Sequence, residues 1–375
     1  MPVKLCINET LPAEVFGVIF EEHANLDWRA PVIDGLVCQQ WRRIILHSPR
    51  AWAQLVIGDD FRSAPSELRQ QWLRRSGTAP LHIWVDSLCG MEETLDQHYK
   101  RIESLTVCDA LAHALLENWS FPILLSLAMF NCVDDHRLEF RLSNMPALRS
   151  LRLGGITMDI LPSNILPALR VLVLSTVKEN EFDYIIQNSY HSLTTLMLDD
   201  LEVSNAPETL EFPSLSFLSL LAVQNLKPRM SVPALITYHE GRITEKESFS
   251  MPLPLLTEYG IYSFNILPHF NPSRLHHYHP NLSRVSIRSI ASSVKAFLHS
   301  LSGQPTSLPL LRILAVEPAF GSKDFSREDK DNMMDDVSVR NTATSVKMEL
   351  CFNGALRVPL YFGDVRVYIK YGRVN

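Results

Sequence analysis

The 375-residue chain has no C-x-x-C pair, no glycine-rich phosphate loop, no G-x-S-x-G and no H-E-x-x-H. Those gaps take away the usual sequence signatures of zinc sites, nucleotide binding, serine hydrolysis and metalloproteolysis. Six cysteines, at positions 6, 38, 89, 108, 132 and 351, are scattered. They fit buried thiols in a reducing compartment, and neither a disulfide framework nor a zinc site. Positive charge is also short: 35 Lys and Arg against 41 Asp and Glu give a net charge of -6 and a pI near 6.1. General nucleic-acid affinity needs concentrated Lys and Arg, so that class is set aside. The basic pairs Arg42-Arg43 and Arg74-Arg75 stand alone, as on solvated helix faces. No apolar run reaches the roughly 18 residues of a membrane helix. No basic stretch leading into an apolar run opens the chain, so no secretory signal is expected. The expectation is a cytoplasmic or nuclear protein with no metal, no cofactor, no nucleic acid and no membrane partner.

What is present is a folded composition, 46% hydrophobic and 20% charged, arranged in two patterns. The first pattern occupies residues 11–57, LPAEVFGVIFEEHANLDWRAPVIDGLVCQQWRRIILHSPRAWAQLVI. Pro12 suits a first helical turn, and Val15, Phe16, Ile19 and Phe20 recur at helical spacing behind it. A second helix is expected from about 31 to 47, with Ile33, Val37, Trp41 or Ile44, and Ile45 along one side. Ser48-Pro49 reads as an N-cap and first-turn proline for a third short helix carrying Trp52. A module this small cannot bury a sizeable core alone, so apolar surface is left over for docking.

Leu11-Pro12-x-Glu14-Val15, then Val37-Cys38-x-x-Trp41-Arg42-Arg43, then Ser48-Pro49-Arg50-Ala51-Trp52 resemble an F-box of the form frequent in mushroom-forming fungi. Ala51 departs from the bulkier residue usual before that tryptophan. The resemblance implies a three-helix module that docks on a Skp-type adaptor and, through it, on Cullin and RING subunits. Carried onto this chain, the adaptor-facing positions are Leu11, Pro12, Val15, Ile19, Val37, Cys38, Trp41, Ile45 and Trp52, some of which must form the module's own core. Residues 58–99 read as a connector, with Leu68, Trp72 and Leu73 on a helix, Gly77 as its cap, and a strand from Pro80 carrying Trp84.

The second pattern is a repeat, P-x-L-x-x-L-x-L-x-x-apolar. Its clearest copies start at Pro146 and Pro167; others start at Lys100, Pro122, His191, Pro213, Pro233, Pro254, Pro280 and Pro309, in steps of 22, 24, 21, 24, 22, 20, 21, 26 and 29 residues. This is the period of leucine-rich repeats, whose L-x-L alternation turns two side chains inward on each strand and whose coils stack to share a core. The position usually held by Asn carries Cys132, Ile156, Val177, Leu201, Val223, Ile243, Phe264, Ile290 and Ala319. An irregular solenoid over 100–320, held by apolar packing without an asparagine ladder, is therefore expected. In the copy at Pro233, Glu240 replaces an inward Leu, which predicts a splayed coil or a carboxylate reached by solvent. Phase places Arg152, Met197, Phe217, Leu221, His239, Tyr262, Arg284 and Arg288 on the concave face, with Phe130, Val173 and Glu258 beside them. Aromatics and arginines on one exposed face suit protein recognition.

Residues 321–337 read as a mobile charged loop and 338–375 as capping strands, after an N-terminal extension over 1–10. His276-His277-Tyr278-His279 reads as a solvent-facing loop, because adjacent histidines diverge and lack a partner at ligand spacing. The whole is an α/β chain: a three-helix F-box followed by an irregular leucine-rich-repeat solenoid. By resemblance it is a non-catalytic substrate receptor of a Skp–Cullin–F-box ubiquitin ligase that holds an unknown protein substrate. The alternative is a leucine-rich-repeat interaction scaffold not engaged in ubiquitination.

Overall fold

The computed structural model describes residues 11–57, 66–85, 95–108, 119–130, 138–140, 144–154, 158–160, 167–175, 179–202, 210–224, 230–241, 253–262, 272–319 and 324–352. They fall in two compact units, one ending at Pro167 and one beginning at Ala168.

The first unit opens with helix α1 (Ala13–Leu26), entered from an extended Pro12, with Phe16, Phe20 and Ala24 buried along one face. The helix expected over 31–47 is in fact two, α2 (Ala30–Asp34) and α3 (Gln39–Leu46). The break has a local cause. Gly35, Leu36 and Val37 turn out of α2, and an extended Cys38 caps α3 by accepting the Trp41 N–H on its sulfur at 3.5 Å. A 3-10 turn follows (Pro49–Trp52). Ser48 does not cap it; its hydroxyl donates back to the Ile44 carbonyl at 2.9 Å and so closes α3. Phe16 and Phe20 meet the Trp41 ring at 5.6 and 5.1 Å, and the Trp52 indole donates to the Ile45 carbonyl at 2.9 Å.

Strand β1 (Gln54–Ile57) belongs to the same stretch of sequence yet pairs in parallel with β2 (Leu81–Val85). Between them α4 (Ser66–Arg75) brings Trp72 within 4.8 Å of Trp52 and 5.4 Å of Trp28, centroid to centroid. Arg75 sits over the Trp52 ring at 4.5 Å, and Gly77 takes a φ of 52° just after the helix. That left-handed value is the one a helix-ending glycine supplies without strain. Strands β3 (Ile102–Val107), β4 (Ser126–Phe130) and β6 (Ser150–Gly154) continue the parallel order, while β5 (Leu138–Phe140) pairs separately with β7 (Met158–Ile160).

The second unit is a parallel β-solenoid. In chain order it holds β8 (Val171–Ser175), α5 (Glu179–Ser189), β9 (Thr195–Glu202), β10 (Leu210–Glu211), β11 (Phe217–Gln224), β12 (Met230–Ser231), β13 (Thr237–Gly241) and β14 (Glu258–Tyr262). Then come α6 (Pro272–Tyr278), β15 (Arg284–Ser289), α7 (Ala291–Gly303), β16 (Ile313–Pro318), α8 (Arg327–Ala343) and β17 (Glu349–Phe352). The register reproduces the repeat phase read from sequence. Val171 stands opposite Thr195, Thr195 opposite Phe217, Phe217 opposite Thr237, Thr237 opposite Glu258, Glu258 opposite Arg284, and Arg284 opposite Ile313. The inward pairs Leu172 and Leu174, Leu196 and Leu198, Leu218 and Leu220, Val285 and Ile287, and Leu314 and Val316 are buried. Each such side chain stabilises the stack by about 1.5–3 kcal/mol.

Of the positions that replace the usual Asn, Leu201, Val223 and Ala319 are buried, in keeping with apolar packing. The polar link between coils lies elsewhere, at the start of each strand. There one carbonyl accepts two successive amides of the next coil: Arg170 from Thr194 and Thr195, Thr194 from Ser216 and Phe217, Ser216 from Ile236 and Thr237. The same pattern runs on through Ile236, Thr257 and Ser283. Hydroxyls add a third donor where the residue allows it, Thr194 to Arg170, Ser216 to Thr194, Thr257 to Ile236 and Ser283 to Thr257.

The stretch 321–337 is largely not a loop. Helix α8 begins with a capping box in which Ser326 and Asp329 satisfy each other's backbone N–H, and it buries Met333, Val337 and Arg340. That stripe is three residues wide on a charged helix, too narrow to stand out in sequence. Arg340 donates to the carbonyls of Leu308 and Leu311 at 3.1 and 3.3 Å, pinning α8 to the coil before it. Of the strands expected at the end of the chain, β17 is described; 365–369 lie outside the described residues. Arg340→Leu keeps the bulk and leaves those carbonyls unpaired, so the C-terminal unfolding transition should lose about 2 kcal/mol. A urea titration with unchanged midpoint would remove the pinning role.

Candidate functional site

Two surfaces answer to the positions singled out in the sequence, one in each unit. On the helices, Ile45 and Trp52 are core residues, and Trp41 is half-buried against Phe16 and Phe20. The buried Ile45 and Trp52 cannot also be open contact residues. Leu11 and Cys38 are half-buried, the latter as the cap of α3. Pro12, Val15, Ile19 and Val37 are exposed. The adaptor-facing list left out their companions Val18, Leu26, Val32, Ile33 and Leu36, of which Val18 is 58% exposed and Leu36 78%. Val15, Val18 and Ile19 fall at i, i+3 and i+4, so they share one side of α1, opposite the buried Phe16, Phe20 and Ala24. The signal was available: α1 carries apolar residues at more positions than one buried stripe needs. On the underside, His23 Nδ1 meets the buried Asp34 carboxylate at 2.9 Å and ties α1 to α2.

In the second unit, alternation sends one set of side chains to the core and the other to the outer face of the sheet. Phe217, Leu221, Tyr262, Arg284 and Arg288 are half-buried on that outer face, with the half-buried Glu258 and the buried Glu317 among them. Met197 and His239 are on the same face but buried, as is Val173. They occupy its central row, Val173, Met197, Ser219, His239, Gly260, Ser286, Ala315 and Cys351. In the first unit Arg152 and Phe130 are half-buried.

The geometry around His239 is specific. Its ring lies across Gly260, where an added Cβ would come 2.5 Å from Cδ2 and 2.9 Å from Cγ. Phe217 meets it edge-on at 5.1 Å and Tyr262 at 5.7 Å. Glu258 Oε1 stands 3.8 Å from His239 Nε2 and 3.4 Å from Arg284 Nε. The neighbouring His239 and, after it, Arg284 hold the Glu258 carboxyl below its usual range. Arg288 makes a two-pronged ion pair with Glu317, at 2.7 Å from Nη2 and 3.0 Å from Nε, and lies over the Tyr262 ring.

Behind that face, Glu240 is neither splayed out nor reached by solvent. It is 1% exposed, and β13 keeps its register on both sides. The Tyr238 hydroxyl donates to Oε2 at 2.8 Å and the Tyr259 hydroxyl donates to Oε1. Burial, then the Glu240 charge, push both phenols well above their ordinary range, so they stay protonated as donors. The sequence showed the carboxylate but not that tyrosines at the adjoining inward positions would meet it. His276 and His277 lie on α6, not in a loop, and His279 is buried with its ring stacked 5.7 Å from Tyr259. Among the described residues no cluster of His, Cys, Asp and Glu is arranged to hold a metal ion, and no helix is long and apolar enough to cross a membrane.

No family model matches the chain, and no match is found among curated proteins. Its own geometry therefore carries the functional reading. That geometry provides an apolar helical surface and a polar, aromatic sheet face.

Gly260→Ala must displace the His239 ring and should cost about 1–3 kcal/mol by overpacking. In the His239→Ala background the same change should be nearly neutral. Additive effects in a double-mutant cycle would show that the ring is not what Gly260 accommodates. His279 makes a second test. Burial lowers its pKa from 6.5 to about 4, so the folded protein holds it neutral while the unfolded chain protonates. Its contribution is full above pH 6.5 and is lost as pH falls toward 4. Unfolding free energy should fall by about 3 kcal/mol over that window, and His279→Phe should flatten the slope. Equal slopes in the two proteins would exclude His279 as the source.

Proposed function

We propose that the chain is a non-catalytic substrate receptor of a Skp–Cullin–F-box ubiquitin ligase. In this reading the helices of the first unit dock on a Skp-type adaptor, and the sheet face of the second unit binds a protein substrate. The observation that carries it is the division of apolar residues on α1, α2 and the turn after α2. Phe16, Phe20 and Ala24 supply the core, while Val15, Val18, Ile19, Val32, Ile33, Leu36 and Val37 stay exposed. Exposed aliphatic residues in this number, on helices that also expose Glu14, Glu22 and Arg29, suit a protein-binding surface. The motifs around Leu11-Pro12, Cys38 and Trp52 supply the resemblance that names the adaptor.

The parallel solenoid supports the second half of the reading, since its outer face presents side chains from successive coils at regular spacing. A receptor with both halves raises the effective concentration of its substrate beside the conjugating enzyme and needs no bond chemistry of its own. The partners would be the Skp adaptor, with Cullin and RING subunits through it, in the cytoplasm or nucleus.

Val18→Asp with Ile33→Asp places charge on exposed positions, so folding should be kept and capture of a Skp adaptor reduced more than about 30-fold. Retained capture by the variant, or none by the wild type in a purified pull-down, would sink the proposal. Substrate binding without adaptor binding would instead favour the interaction scaffold.

A further inference from the structure

The three arginines on the outer sheet face differ in their surroundings. Arg284 faces Glu258, and Arg288 is paired with Glu317. Arg152, on β6 of the first unit, makes no ion pair or hydrogen bond among the described residues, and its buried Nε has no partner. The side chain is half-buried and stands opposite Ala128 on β4, whose methyl group offers no acceptor. Burial lowers the guanidinium's pKa, with no neighbouring carboxylate to offset it. A charge partly withdrawn from water and left unpaired costs stability, so it calls for an explanation.

The groups beside Arg152 are donors as well. Two residues back on the same side of β6, Ser150 stands opposite Ser126 on β4, and Ser126 opposite Ser104 on β3. Neighbouring strands lie about 4.8 Å apart, so the three hydroxyls form one row next to the guanidinium. All three serines are half-buried, within reach of solvent, and their hydroxyls bond no described residue. His82 on β2 closes that row opposite Ser104. Burial outweighs the nearby Glu103 carboxylate in lowering the His82 pKa, which favours the neutral ring. The row of His82 and the serines, and the parallel row of Trp84, Thr106, Ala128 and Arg152, therefore hold one full charge, and it is positive.

We propose that Arg152, with the Ser150 and Ser126 hydroxyls beside it, takes an Asp or Glu side chain of a protein ligand lying across the sheet of the first unit. This rests on the reading of the outer sheet face as a substrate-binding surface, extends it to the first unit and names the chemistry selected there. The guanidinium can only donate, and the serine hydroxyls are able to donate, so the ligand group must be an acceptor. The planar fork of an arginine matches the two oxygens of a carboxylate, in bonds about twice as strong as those to a neutral amide. One negative charge meets one positive charge. A phosphate dianion would be only half neutralised.

The test uses the purified full chain on immobilised pentapeptides, acetylated and amidated at their ends, with uncharged residues around a central Glu, Asp, Gln, Lys or phosphoserine. Glu and Asp should be retained about tenfold over Gln, and Lys excluded. Arg152→Met should erase that preference, and Ser150→Ala should reduce it about threefold. Arg149→Met removes the same charge from an exposed neighbour and should leave the preference intact. Because no described residue pairs with Arg152, Arg152→Met should leave the urea midpoint unchanged or raise it. A lowered midpoint would show that the guanidinium serves the fold, and would overturn the proposal. Gln equal to Glu, phosphoserine above Glu, an equal loss in Arg149→Met, or retention of no peptide would overturn it too. Adaptor capture by the same preparation is scored separately: a captured adaptor with no carboxylate preference leaves the receptor reading standing while this site fails.

Discussion

The second unit depends on one repeated hydrogen-bond arrangement, the strand-start carbonyl that accepts two amides from the following coil. It sets the register from Arg170 through Ser283, and the register decides which side chains share a row. A one-residue slip would send every inward Leu to the outer face, so the doubled bond and the apolar core enforce the same answer. Where Thr194, Ser216, Thr257 or Ser283 occupies that position, the hydroxyl joins in. An asparagine ladder would tie the coils together after the strand; here the tie comes before it, and the positions after it are released to apolar packing at Leu201, Val223 and Ala319.

That register also concentrates the unusual residues. Tyr238, His239 and Glu240 on one coil meet Tyr259, Gly260 and Ile261 on the next. Inside, two phenols solvate a carboxylate that would otherwise be costly to bury. Outside, the absence of a side chain at Gly260 lets an imidazole lie flat across the adjoining strand. Both adjustments occur without loss of strand pairing. The coil most divergent from the repeat in sequence therefore keeps its register on both sides.

The helical module is governed by the opposite economy of space. A few aromatic rings, Phe16, Phe20, Trp41 and Trp52, fill its interior, and Trp72 from α4 completes the packing around Trp52 and Trp28. Because those rings suffice, the aliphatic residues on the far side of α1 and on and just after α2 are left uncovered by the described residues.

Several things were set by the sequence itself. The L-x-L alternation and its period determined the strands and their mutual register, because inward burial at period two admits only one phase. Pro12, Gly77 and the spacing of Phe16 and Phe20 determined where the helices begin, end and face. Other features depended on through-space partners that no local pattern reveals. The break at Gly35–Val37, the helix over 327–343, the burial of Glu240 and His279, and the division of Val15 and Ile19 from Ile45 and Trp52 are all of this kind. In each case a side chain's fate rests on what faces it from another coil or helix: Tyr259 for Glu240, the Leu308 and Leu311 carbonyls for Arg340, the Phe16 and Phe20 rings for Trp41. Periodicity specifies a direction for each side chain, and only the tertiary structure supplies what lies in that direction.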